Sequence, residues 1–339
     1  GLGYKWEYDE FPKELALAYD QIAETLDQAS RETVESYFRD DLNYVRAYPR
    51  YLFNTAPRLI EDEIVCGRVI GEPEFVHGAI DHLKLMFRCD FFADGTWYEV
   101  SPSYDYQVYD ELQGPLKLLQ GYSDPKGPIG KGLANHYEKF DASREFPELG
   151  RLIESLKRYV MPDGTMVCTA DTWSPLGLEM HPGYYMYEPL PKTKSALHWA
   201  ASHGMIGQGS GRDQVQARLN YTGFFGHFHF DRLGLTLFAK NREMLSDIGY
   251  TCTTLRSFAS CTLAHNLVMV DESSQNYIQE DPLGGEPVIY DERHSPVQLY
   301  TVASPSSYVQ AEKYQRTLAL VGVSEKNAYV VDLFEVQGG

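Results

Sequence analysis

Cysteine is scarce and unpatterned. The five residues 66, 89, 168, 252 and 261 form no CxxC pair, and the odd count excludes a disulfide framework as the main staple. Positive charge is also short: 30 Lys and Arg stand against 48 Asp and Glu, a net charge of −18. That balance excludes the basic footprint of a nucleic-acid binder. It also excludes a general attraction to polyanions, so an acidic substrate would need a locally positive site. No apolar run reaches the length of a membrane span. No signal peptide opens the chain, and the start Gly1-Leu2-Gly3 reads like the interior of a longer protein. No repeat of fixed period and no low-complexity stretch is present. Tryptophan is rare, with 4 residues, whereas tyrosine reaches 25. Tyrosine couples a flat apolar face to a polar tip, which suits a sugar-gripping surface and equally a core or an interface.

What is present divides into two textures. The 339 residues and an ordinary apolar share suffice for two domains or one large one. Phe11–Phe38 lacks internal Pro and Gly and spaces Leu15, Ala18, Ile22 and Leu26 as a helix would. Further helices are expected after Pro57, over Phe75–Phe92, from Ser101-Pro102 to Leu118, and over Leu149–Val160. At Pro162-Asp163-Gly164 short β-rich runs take over: Thr165–Thr169, Ala217–Thr222, Leu235–Ala239, Asn266–Asp271, Val297–Val302, Tyr308–Ala311, Leu318–Val323 and Ala328–Val336. The expectation is an α+β multidomain chain, helical over 1–161 and an antiparallel sandwich over 162–339.

One stretch concentrates groups capable of chemistry. Read as a strand, Gly226–Asp231 puts His227, His229 and Asp231 on one face and Phe228 and Phe230 on the other. Asp247 and His265 follow His229 at equal intervals of eighteen residues. His229, Asp247 and His265 on neighbouring strands would make a three-ligand zinc site with an open fourth position. Spacing alone equally allows Asp247 to cap a turn and His265 to be a hydrogen-bonded core residue.

The runs GHFHFDRLGLTLFAKNREMLSDIGY and RSFASCTLAHNLVMVDESSQ resemble the signature of heparinase II/III-like polysaccharide lyases. ADGTWYEVSPSYDYQVY and AYVVDLFEVQGG resemble two more of that family's segments, in the same order. The resemblance implies an incomplete α/α toroid followed by an antiparallel β-sandwich. It implies Zn2+ on His229, Asp247 and His265, and a catalytic role for His227. Phe228 and Leu267 depart from the family pattern, which has Gly and Thr there. The chain stops at Gly338-Gly339 where relatives continue, so a piece of a longer protein is expected.

The implied reaction is β-elimination on a uronic-acid-containing polysaccharide. A base removes the C5 proton, an acid protonates the leaving oxygen, and a further group neutralises the carboxylate. Asn54 is the candidate neutraliser, although an Asn before a helix is commonly a cap. His77 and His82 are rivals with poorer facing. Tyr104, in the SPSY segment, is the candidate acid or base, with Tyr106 and Tyr109 as alternatives. Arg58, Arg232 and Arg256 are candidate contacts for carboxylate or sulfate. Glu99 is given no chemistry in this scheme. Two other readings stand beside it: a zinc hydrolase with Asp231 or Glu99 as base, and a non-catalytic carbohydrate-binding piece. The expected partner is an acidic polysaccharide, with neither nucleic acid nor membrane, and the expected location is secreted or periplasmic.

Overall fold

In the computed structural model, residues 13–47, 53–126, 136–174, 187–223, 226–277, 284–293 and 296–338 are described. They fall into two compact units. One contains residues 1–91 and 107–151, the other residues 92–106 and 152–339. The expected boundary near 162 therefore lies inside the second unit, which also takes a short segment from the helical half.

The first unit begins with α1 (Lys13–Ile22) and α2 (Gln28–Ala47). The single helix expected over Phe11–Phe38 starts outside the described residues and is broken after Ile22. The Asp27 carboxylate accepts the Ser30 amide at 2.8 Å and caps α2, so the chain turns there. α3 (Ala56–Val69) opens with Pro57 in its first turn, as expected. α4 (Pro73–Cys89) packs close to α3 at Gly67, where a Cβ would meet the Phe75 Cβ at 2.8 Å. Ala16, Phe38, Leu42, Cys66 and Phe75 form the core of these four helices. α5 (Pro102–Leu119) supplies its first five residues to the second unit and the rest to the first. α6 (Ala142–Glu145) and α7 (Glu148–Leu156) follow.

The second unit holds two antiparallel sheets, each in chain order. The first contains β1 (Ala196–His198), β2 (His203–Gln208), β3 (Val215–Asn220), β4 (Leu235–Ala239) and β5 (Arg242–Leu245). The second contains β6 (Glu286–Asp291), β7 (Val297–Ala303), β8 (Ala311–Ser324) and β9 (Asn327–Gly338). Ile206, Ala217 and Leu219 from one sheet pack with Tyr300, Val302, Leu318 and Leu320 from the other, which makes a sandwich core. The outer face of the first sheet is covered as well. Phe238 packs there with Val100, Tyr159, Met161 and Val167, and Arg218 donates to the carbonyls of Arg158 and Val160, both at 2.8 Å. This double covering leaves every residue of β3 buried.

The helix-then-strand order is as expected, and the fold class is α+β with two antiparallel sheets. Some strands differ. Thr165–Thr169 and Asn266–Asp271 touch the sheets through no ladder and make only the isolated bridges Val160–Met166 and Val270–Ser273. The run expected at 318–323 lies within the longer strand β8, whose buried residues alternate from Tyr314 to Leu320, and of the run 308–311 only Ala311 belongs to it. β1, β2, β5 and β6 carry no strong alternation in sequence and were not anticipated.

Candidate active site and metal centre

The segment Gly226–Asp231 is not a strand, and this corrects the sequence reading. Its backbone bonds to loops: the His227 carbonyl accepts from Asp171 at 3.0 Å, and the Phe230 amide donates to Ser260 at 2.9 Å. The alternation of its side chains survives. His227 and His229 both reach Asp171, while Phe228 and Phe230 meet edge-on at 5.7 Å on the other side. Phe228 also stacks on Tyr277 at 5.5 Å. Close approach falls on Gly226 instead of position 228. Gly226 has φ +44°, and a Cβ there would meet Glu99 Oε1 at 2.5 Å.

Asp171 is the hub that sequence reasoning missed. Its Oδ1 lies 2.9 Å from His229 Nε2, and its Oδ2 lies 2.9 Å from His227 Nδ1 and 2.6 Å from Arg256 Nη2. Burial alone would raise this carboxyl, but the bonds from His227, His229 and Arg256 hold it well below the usual carboxylate range. An ionised carboxylate only accepts, so His227 Nδ1 and His229 Nε2 carry protons and, in the neutral imidazole, the opposite ring nitrogens present lone pairs. The one faint signal of Asp171 in the sequence is its place in a turn-like TADTW run. In the structure Ala170, just before it, has φ +53°.

The Tyr104 ring lies flat on His227, with centroids 3.4 Å apart and planes 9° from parallel. Tyr250, also not anticipated, meets Tyr104 edge-on at 6.4 Å and carries the Arg256 guanidinium over its ring at 4.6 Å. Burial first, then Tyr250, Asp171 and Glu99, push the Tyr104 phenol far above its ordinary range, so it is protonated at neutral pH. Glu99 is fixed by the Trp97 indole at 2.8 Å, and its Oε1 stands 3.7 Å from His227 Nε2. Burial raises the Glu99 carboxyl, while His227 and the Trp97 bond oppose that.

A second group lies two residues further on. One ligand atom each from His229, Asp231 and His265 lies within 4.8 Å of the others, and all three residues are buried. His229 Nδ1, Asp231 Oδ1 and His265 Nε2 have no hydrogen-bond partner among the described residues. Buried polar atoms of this kind are costly when unsatisfied, and two imidazoles with one carboxylate fit a zinc ion. Asp247, the carboxylate expected as ligand, contacts the far side of His265 at 2.7 Å from Nδ1. Asp171 stands in the same relation to His229. Each imidazole is thus oriented by a carboxylate on its outer nitrogen.

The other expected residues lie elsewhere. Arg256 is in the site. Arg232 is fully buried (0 %), with its guanidinium on the Gly284 carbonyl at 3.4 Å, the Asn276 carbonyl at 3.2 Å and the Ser306 hydroxyl at 2.8 Å. It holds loops together and cannot reach a polymer, which corrects its assignment as a substrate contact. Asn54, Arg58 and Tyr109 belong to the first unit. There Asn54 donates to Gln107 at 3.4 Å, and Arg58 and Gln107 both donate to Glu111, at 2.6 and 2.8 Å. The rivals His77 and His82 are engaged with Asp124 and Glu63 at 2.9 and 3.1 Å.

A helical unit and a two-sheet sandwich carrying a His-Tyr-Asp cluster beside a His-Asp-His group define an α+β protein with an enzyme-like site. Residues 210–339 match the family model described as Heparinase II/III-like, C-terminal. Solved structures share the fold. A heparinase III gene product superposes with a TM-score of 0.62 at 17% identity over 91% of this chain and 49% of its own. A crystal structure of heparinase III gives 0.67 at 14% identity over 89% of this chain and 50% of its own. The heparan sulfate lyase HepC from Pedobacter heparinus gives 0.58 at 16% identity over 98% of this chain and 55% of its own. The chain thus spans about half the length of these structures. No curated protein matches it.

Proposed function

We propose that the chain is part of a lyase that cleaves a uronic-acid-containing polysaccharide by β-elimination. The observation that carries this reading is the flat stack of Tyr104 on His227, with His227 Nδ1 bonded to the ionised Asp171. That bond leaves His227 Nε2 as the acceptor. It takes the C5 proton, and Glu99, 3.7 Å away, stabilises the resulting imidazolium. The C5–H electrons form the C4=C5 double bond, the C4–O bond breaks, and the protonated Tyr104 phenol supplies a proton to the leaving oxygen. Arg256 is positioned to pair with an acidic group of the sugar. The neutralising role that the resemblance gives Asn54 belongs to this reading and has its own test in Asn54→Ala.

His229 and His265 would hold zinc together with a carboxylate. Asp231 is the one whose free oxygen joins them, and Asp247 orients His265. The ion would supply a fixed positive charge and a cross-link for the loops of the site. Secretion or periplasmic placement fits a polymer substrate and belongs to the same proposal; among the described residues no helix is long and apolar enough to cross a membrane.

The test follows ultraviolet absorbance of the unsaturated uronate while the protein meets heparan-type, chondroitin-type, alginate and ulvan polymers. Elimination creates that chromophore and hydrolysis does not, so the signal also separates the zinc-hydrolase reading. His227→Ala and Tyr104→Phe should each lower turnover by roughly 10²–10⁴-fold. Chain cleavage without a chromophore, or turnover that survives both changes, would overturn the proposal.

A further inference from the structure

A cavity of the second unit lies away from this cluster, at one end of the sandwich. It is a groove of about 850 Å³ between the ends of the two sheets. Lys192, Lys194 and Arg293 line it, together with Glu292 and Glu325. Among the described residues no ion pair engages any of the three cations. Two more cations stand beside the groove. Lys240 donates to the Lys326 carbonyl at 3.2 Å and to Asn327 Oδ1 at 3.1 Å, and the Asn327 carbonyl also accepts from the groove residue Gln208. The lining itself thus carries three cations against two carboxylates, in a chain of net charge −18.

The base of the groove is held in shape. Gln298 on β7 donates to the Gly207 carbonyl on β2 at 3.0 Å, and Gln208 donates to Ser324 at 3.0 Å, so the two sheets are joined there. Gly207, Gly209 and Gly322 keep it smooth; at each a Cβ would meet neighbouring atoms at 2.2–2.4 Å. An open groove whose walls carry Lys192, Lys194 and Arg293, with no ion pair to any of them among the described residues, does not suit a small apolar ligand. It suits an extended chain with anionic groups at intervals and hydroxyls between them.

We infer that this groove is a second, non-catalytic binding site for an acidic oligosaccharide segment, holding the polymer away from the Tyr104–His227 cluster. The choice of saccharide rests on the function proposed above; the anionic character of the ligand rests on the groove alone. Such a site answers the charge problem posed by the sequence, because it places local positive potential on an acidic protein.

The experiment compares the full chain with the variant Lys192→Ala/Lys194→Ala/Arg293→Ala. Binding of a heparan sulfate dodecasaccharide, an alginate oligomer and a single-stranded DNA oligonucleotide is measured by calorimetry at low and moderate salt. Alongside, turnover is measured on a tetrasaccharide too short to occupy both sites. The variant should lose about tenfold in affinity for at least one saccharide, with the loss shrinking as salt rises. One binding site should vanish from the stoichiometry, while melting temperature and tetrasaccharide turnover stay unchanged. A preference for the dodecasaccharide over the alginate oligomer would identify sulfate as the group held. Unchanged saccharide affinity would overturn the inference, as would equal or tighter binding of DNA. If no polymer is cleaved but the variant still loses saccharide binding, the lyase reading fails and the groove stands.

Discussion

At the scale of single residues, Asp171 has the widest reach, since one carboxylate bonds His227, His229 and Arg256 together. Asp171→Asn removes the charge that fixes both imidazole tautomers. Turnover should fall by roughly 10²–10³-fold while the melting temperature changes little. A variant that keeps wild-type turnover would show that the hub is only structural. Metal analysis of the purified variants tests the second cluster. Asp231→Asn should lose zinc together with His229→Ala and His265→Ala, whereas Asp247→Asn should retain it with weakened affinity. The reverse order would make Asp247 the ligand that the family resemblance implies. Sequence pattern brought out His227 and His229 because they crowd one short run, while the family resemblance brought out His265 and Tyr104 through the segments that hold them. Asp171 was not singled out because it stands apart in a turn-like run, and Tyr250, though it ends the quoted run, is one of 25 tyrosines; folding brings both to the histidines.

At the scale of elements, two local features have measurable consequences. Gly226 combines φ +44° with a Cβ position 2.5 Å from Glu99 Oε1. Gly226→Ala should cost about 1–3 kcal/mol in stability and displace Glu99 from His227, read as a lower melting temperature and a parallel loss of turnover. In α3, burial raises the Asp62 carboxyl to about 8, and in α2 burial raises Asp41 to about 6. A carboxyl raised in the folded state favours folding fully below its unfolded pKa, near 4, and that stability is lost as pH rises through its folded value. The first unit should therefore weaken between about pH 4 and 8, by on the order of a few kcal/mol. Asp62→Asn should flatten most of that slope in melting curves taken across the range; an unchanged slope would remove Asp62 as its source. Helices were legible where proline marked a start, as at Pro57, and illegible where a side-chain cap broke a continuous apolar pattern, as at Asp27. Strands were legible where buried residues alternate with less buried ones, as in β8. They were missed where glycines interrupt, as in β2.

At the scale of the whole molecule, chelation and truncation are the informative perturbations. A chelator should lower the melting transition of the second unit by several degrees and leave that of the first in place, because zinc would cross-link only loops of the second. The change of texture at Pro162-Asp163-Gly164 is real, but it is not where the units divide. Residues 92–106 sit in the second unit with Trp97 fully buried and Val100 nearly so. A fragment cut at the apparent boundary, 162–339, should therefore bind apolar dyes and unfold without cooperativity.

The same discontinuity sets a schedule for synthesis. Val100 leaves the ribosome long before Phe238, one of its packing partners, has been made. At about 5–20 residues per second the interval is on the order of ten seconds, which is long compared with hydrophobic collapse. During that time residues 107–151 can be completing the first unit, while the 92–106 segment waits with its apolar side chains uncovered. The second unit is thus a late folder by construction, and a nascent chain stalled before Phe238 should be held by chaperones through the segment around Trp97 and Val100.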